Sequence, residues 1–229
     1  MAKKKGIFKK IIFGIVGITI LSVIVVIINL IIFEKSSSVV SNGQPIENYN
    51  EQNCALLVID VQEATTGEVA VNSFYSANSD TLIKNINRIT ETFKNGNSLV
   101  IYIRSEISNP LINLLNNSFA KGSFGVKFDK RLNSGSGLEV VKSKNDAFAE
   151  TELDSILTSN KIGELYIVGL DAAYCINITT EAAQNRNYKV NLIKEAVLSE
   201  SEIMKDSMMI SFRERGIKTI SIDSINIMQ

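Results

Sequence analysis

The fold class this sequence predicts is α/β: a three-layer, doubly wound, Rossmann-like domain with a six-stranded, mostly parallel sheet, preceded by one transmembrane helix. Three observations predict it. Six short apolar runs rich in β-branched residues recur through residues 53–229, segments with helical period separate them, and one long uncharged apolar stretch precedes them all. Runs that are apolar at successive positions suit strands buried on both faces, the condition of a parallel sheet covered by helices.

Residues 1–10 form a basic N-terminus with Lys3, Lys4, Lys5, Lys9 and Lys10. Residues 11–33 carry no charge and at ~1.5 Å per residue are long enough to cross a ~30 Å hydrocarbon core. A secretory signal peptide has a shorter apolar region, about 7–15 residues, and ends at a small-residue cleavage site, whereas Glu34 and Lys35 follow here directly. A core helix apolar on every face is out of place in a protein this small. The lysines before the span put the N-terminus in the cytoplasm and the remainder outside it, by the positive-inside rule. Residues 34–52 are rich in Ser, Asn, Gln and Glu without a helical or strand period, which reads as a tether; a loop packed on the domain has the same composition.

The domain over 53–229 then alternates. Strands are expected at 55–60, 99–104, 138–142, 165–170, 189–193 and 218–222. The first crossover helix starts near Ser79 or Asp80, aligns Leu82, Ile86, Ile89 and Phe93 on one side, and stops at Asn95-Gly96. Further helices are expected at about 151–159, 175–187 and 201–215, with a short one around 111–119. The less regular stretch 105–137 is a candidate lid or pocket wall.

Composition narrows the chemistry. There is no histidine, which excludes Ser-His-Asp and Cys-His triads, a His general base and His-based zinc sites. Beyond the anchor, acidic residues outnumber basic ones and no basic patch stands out, so a nucleic-acid partner is not expected. In an open α/β sheet, ligands bind beyond the carboxyl ends of the strands. Asp60 and Lys142 close the first and third runs, and Cys175 follows the fourth at the start of a helix. Lys144, two residues on, shares a face with Lys142 and is its rival. A free thiol is only about 3% thiolate at pH 7; a helix N-terminus and a nearby ammonium would lower its pKa, and a carboxylate could take its proton. Cys54 opens the first strand, roughly 20 Å from the edge where Cys175 lies, too far for a disulfide.

These residues sit in three blocks: ALLVIDVQ; GSFGVKFDKRL followed by EVVKSKNDAFAETELDSIL; and LYIVGLDAAYCINITTEAAQNRNYKV. In order and spacing they resemble the isochorismatase-like cysteine hydrolases, which include nicotinamidases and N-carbamoylsarcosine amidohydrolase, over about residues 54–222. The resemblance implies attack by the Cys175 thiolate on an amide-type carbonyl, a thioester, and hydrolysis by water. Asp60 would be the general base and then acid, Lys142 would hold the charges, and Lys142 is favoured over Lys144. It also implies a cis peptide between Leu170 and Asp171, an oxyanion hole from the backbone N–H groups of Asp171 and Cys175, and self-association. Gln62, Phe148 and Tyr174 are candidate pocket residues. Glu63 and Ala64 stand where many members have Asn-Asp, and Asn187 stands where a small residue is common. Nicotinamidases bind a metal through Asp and His residues; with no His, neither a metal nor another cofactor is expected here. The resulting expectation is a membrane-anchored hydrolase of a carbon–nitrogen bond in a small molecule. An ether hydrolase that dispenses with the Cys nucleophile, and a catalytically degenerate anchored binding or assembly module, are the alternatives.

Overall fold

A computed structural model describes residues 2–47, 49, 53–135 and 137–225 of the chain, which divides into two units, residues 1–36 and 37–229. The first unit is helical: α1 (Ala2–Ser37) contains a stretch, Ile12–Ser37, long and apolar enough to cross a membrane, with a mean hydropathy of 3.1 over its 18-residue window. Within it the Thr19 and Ser22 hydroxyls donate to the carbonyls of Ile15 and Ile18.

The second unit is built on β1 (Asn53–Ile59), β2 (Leu99–Ser105), β3 (Leu138–Lys142), β4 (Ile162–Gly169), β5 (Lys189–Val197) and β6 (Lys218–Ile220). They form one sheet in the order β3-β2-β1-β4-β5-β6, and every named pair is parallel. Strand alternation sends Leu57 and Ile59 to one face and Leu56 and Val58 to the other, and both faces are buried. Helix α2 (Ser73–Asn95) covers one face with Leu82, Ile86, Ile89 and Phe93; α4 (Leu153–Ser159), α5 (Cys175–Asn185) and α6 (Glu202–Glu214) cover the other with residues such as Leu157, Ile176 and Phe212. The short α3 (Pro110–Leu115) lies in the irregular stretch after β2.

Strand order turns back between β1 and β4, which opens the ligand-binding crevice of this topology at their carboxyl ends. Gly169 makes the approach possible: its φ is +113°, and a Cβ there would lie 2.0 Å from the Ile59 carbonyl oxygen. Asp60 itself has φ 55°, a left-handed conformation that Asp tolerates better than most residues.

Helix α2 begins at Ser73, ahead of the expected Ser79 or Asp80, because the Asn72 side chain accepts from the N–H groups of Phe74 and Tyr75 and starts the helix there. Strand β5 runs on to Val197, past the expected end at Ile193. The segment read as a tether differs more: from Ser37 to Ile46 it lies on the domain, with Val40 and Ile46 packed against the core. Residues 48 and 50–52 of that segment, and 226–229 at the end of the expected domain, lie outside the described residues.

Candidate active site

Three strand ends deliver three side chains to one point. Asp60 leaves β1, Lys142 closes β3, and Cys175 opens α5 after the turn that follows β4. The Lys142 ammonium, almost fully buried, lies 2.9 Å from Asp60 Oδ2 and donates to Cys175 Sγ at 3.2 Å. It also donates to Ser105 Oγ at 2.8 Å and to the Lys144 carbonyl at 3.1 Å. An ammonium has three N–H donors, so these four acceptors share them, and the sulfur has the longest contact.

Ser105 ties the pair together. Its hydroxyl accepts from Lys142 and donates to Asp60 Oδ1 at 2.9 Å, so both carboxylate oxygens of a 5% exposed Asp are engaged. Ser105 is the register partner of Lys142 across β2 and β3. Sequence reading passed over it, although a polar residue closing an apolar strand run is the same signal that flagged Asp60. Asn145 was passed over too; its Oδ1 lies 3.7 Å from the thiol.

Charge at the site departs from expectation. Burial first, and then the negative charge of Asp60, push the Cys175 thiol up to about 12, while Lys142 pulls it the other way. The helix start and the ammonium were expected to lower it; desolvation and the carboxylate outweigh them. For Lys142, burial disfavours the charge, but Asp60 and the sulfur outweigh it and hold the pKa above its ordinary value. The resting site is therefore an Asp60–Lys142 ion pair beside a protonated thiol.

The turn before Cys175 contains a cis peptide between Leu170 and Asp171, as the resemblance implied. Among the described residues, neither the Asp171 nor the Cys175 N–H has a hydrogen-bond acceptor. The Asp171 carboxylate is pinned by Tyr75 Oη at 2.7 Å, Ser199 Oγ at 2.9 Å and the Ala173 N–H at 2.6 Å.

Of the candidate pocket residues, only Tyr174 is open to solvent, half exposed beside Cys175. Gln62 is fully buried and its amide is spent on the backbone, donating to the carbonyls of Ser105 and Val126 and accepting from the Ser105 N–H; it braces Ser105 rather than lining a pocket. Phe148 is a core residue stacked on Tyr188 and beneath the Arg186 guanidinium. Lys144 points its ammonium to Glu150, 2.7 Å away, and gives the site only its carbonyl. Both cysteines are free thiols.

The family model described as Isochorismatase domain matches residues 54–224. The chain belongs to the isochorismatase family. It is similar to the uncharacterized isochorismatase family protein YrdC of Bacillus subtilis, 25% identical over 178 residues, covering 77% of this chain and 89% of that protein. It is also similar to the "probable inactive nicotinamidase" of Arabidopsis thaliana, 27% identical over 73% of this chain and 92% of the relative. Among solved structures, N-carbamoylsarcosine amidase from Thermoplasma acidophilum has the same fold, with a TM-score of 0.65 at 24% identity, covering 76% of this chain and 99% of that one. The metal site that the resemblance carries for nicotinamidases does not fit this isochorismatase-family chain: histidine is absent from the sequence, and among the described residues no group of three Cys, Asp or Glu converges on a point.

Proposed function

We propose that this protein is a membrane-anchored cysteine hydrolase that cleaves a carbon–nitrogen bond, amide or carbamoyl, in a small molecule, without metal or other cofactor. The observation that carries the reading is the single ammonium held between a buried carboxylate and a thiol, 2.9 Å from one and 3.2 Å from the other. In this mechanism Asp60 takes the thiol proton as Sγ bonds to the substrate carbonyl carbon, and the carbonyl electron pair moves onto oxygen. The N–H groups of Asp171 and Cys175 stabilise that oxyanion. Collapse breaks the C–N bond, and Asp60 returns the proton to the departing nitrogen, leaving a thioester on Cys175. Asp60 then takes a proton from water as the water oxygen attacks the thioester carbonyl; the acid leaves and Cys175 recovers its proton.

A thiol that rests protonated suits this scheme, because proton transfer to Asp60 and nucleophilic attack occur in one step and Lys142 keeps a positive charge beside each successive anion. The test is a panel of small amides and carbamoyl compounds with intact-mass detection. A mass increment on Cys175 that turns over in wild type and is absent in Cys175→Ala supports the reading. Hydrolysis by Cys175→Ala at the wild-type rate would reject it and favour the ether-hydrolase alternative. Resemblance to a relative named as an inactive nicotinamidase supports a second reading, an anchored binding module of the same fold; in that case no compound forms an adduct.

A further inference from the structure

We propose that residues Ser37–Ile46, which lie outside the 54–224 family match, are a strap that holds the loop carrying Lys144 and Asn145 against the Lys142–Cys175 pair, and so form a positioning element of the site. The proposal rests on the reading of Cys175 as the nucleophile.

The loop after β3 touches the reacting groups twice, since the Lys144 carbonyl takes one N–H of Lys142 and the Asn145 side chain faces the thiol. The strap grips that same loop at two adjacent residues. The Asn145 N–H donates to the Ser37 carbonyl at 2.9 Å, and the Ser41 N–H donates to Asp146 Oδ2 at 2.7 Å. Asp146 is fully buried; its other oxygen accepts from the Phe148 N–H, so the strap supplies a hydrogen bond that a buried carboxylate otherwise lacks.

The far end of the strap is fixed independently. Arg186, 3% exposed and paired with Asp154, donates to the Ser41 carbonyl at 3.2 Å and accepts at its own carbonyl from the Ile46 N–H at 2.9 Å. Gly43 passes so close that an added Cβ would lie 2.3 Å from Arg186 Nε. A segment anchored on Arg186 at Ser41 and Ile46 and bonded to the site loop through Ser37 and Ser41 stiffens that loop; a chain trimmed to the family match would lack it.

The experiment compares the full chain in detergent with two full-chain variants, Ser41→Pro, which removes the N–H given to Asp146, and Gly43→Leu, which wedges the strap off Arg186. The readout is the iodoacetamide labelling rate at each cysteine against pH, by peptide mass. Cys54 serves as the internal control, because it opens β1 at the end of the strand opposite Asp60. The expected result is selective. Loosening the loop lets water reach the thiol, so the Cys175 profile moves to lower pH by about one unit and labelling near neutrality rises about tenfold. Cys54 stays at its wild-type rate, and amide turnover, where a substrate is in hand, falls. Wild-type labelling at Cys175 in both variants overturns the proposal. Equal acceleration at both cysteines also overturns it, since the strap would then hold the whole domain rather than the site. Absence of any amide turnover in wild type would instead count against the nucleophile itself, leaving the labelling comparison readable.

Discussion

At the residue scale, the site depends on a buried ion pair whose members, among the described residues, form no other salt bridge. Asp60 and Lys142 are 5% and 1% exposed. Removing one partner of such a pair leaves a buried charge uncompensated, at a cost of about 3–5 kcal/mol. Lys142→Met is therefore expected to destabilise the fold by that amount in urea unfolding, and Asp60→Asn combined with Lys142→Met to recover part of it; additive losses would show that the two do not act as a pair. The thiol gives a pH prediction with a definite sign. Its folded pKa, about 12, lies above its ordinary value of 9.0, so the unfolded chain loses this proton first. The contribution of Cys175 to stability is whole below pH 9 and is lost as pH rises from about 9 to about 12. Wild type should lose more stability across that window than Cys175→Ala, and iodoacetamide labelling of Cys175 should keep rising with pH beyond 9 rather than level off near neutrality. Asp60, Lys142 and Cys175 were legible because charged or nucleophilic residues at the ends of apolar runs stand out in one dimension. The direction of the thiol shift was not legible, because it depends on how much water the folded loops exclude, and a sequence window does not report that. Ser105 was missed because its role comes from its register against Lys142 across two strands.

Elements read more faithfully than contacts, for a physical reason. Strands buried on both faces of a parallel sheet must be apolar at nearly every position, so all six appeared as runs, whereas their ends depend on neighbours: β5 extends to Val197, where Val197 pairs with Gly169. The start of α2 was set by a cap, since the bonds that the Asn72 side chain accepts from the N–H groups of Phe74 and Tyr75 leave no periodic signal in the sequence. Replacing that cap, Asn72→Ala, should cost about 1 kcal/mol. The closer test of what aligns the crevice is a pair of glycines. Gly169 and Gly216 both have positive φ, +113° and +79°, but only at Gly169 would a Cβ meet backbone, 2.0 Å from the Ile59 oxygen. Gly216→Ala should cost about 1–2 kcal/mol for the left-handed conformation alone. Gly169→Ala should cost distinctly more in calorimetry and, on the proposed mechanism, also slow turnover, because β1 and β4 must part where Asp60 and the turn before Cys175 converge. Equal losses at the two positions would show that the close approach of these strand ends is not what sets the site.

For the whole molecule, the proposed function turns on which compartment holds the domain. The two units differ in what they bury: the domain packs two apolar layers against its sheet, while α1 leaves Phe13, Ile18, Leu21, Val25 and Ile32 exposed among the described residues. Leaving that much apolar surface in water is costly at about 25 cal/mol per Å², and a bilayer removes the cost entirely for a helix whose backbone is satisfied internally. Retention is therefore expected through alkaline carbonate extraction, with the full-length mass in the pellet; a shortened chain in the supernatant would mean that the segment is a leader removed on export. The positive-inside rule predicts a cytoplasmic N-terminus, because five lysines precede the apolar stretch while Lys35 behind it is offset by Glu34. A protease added to intact cells should then degrade the domain, and with it a C-terminal epitope, while an epitope at the N-terminus survives until the membrane is opened. The reverse pattern would put the site in the cytoplasm and its substrates among cytoplasmic metabolites. With the expected pattern, the proposed amide or carbamoyl substrate would be met outside the cytoplasmic membrane, where a thiol whose pKa burial and Asp60 hold above its ordinary value is less exposed to oxidation than a standing thiolate.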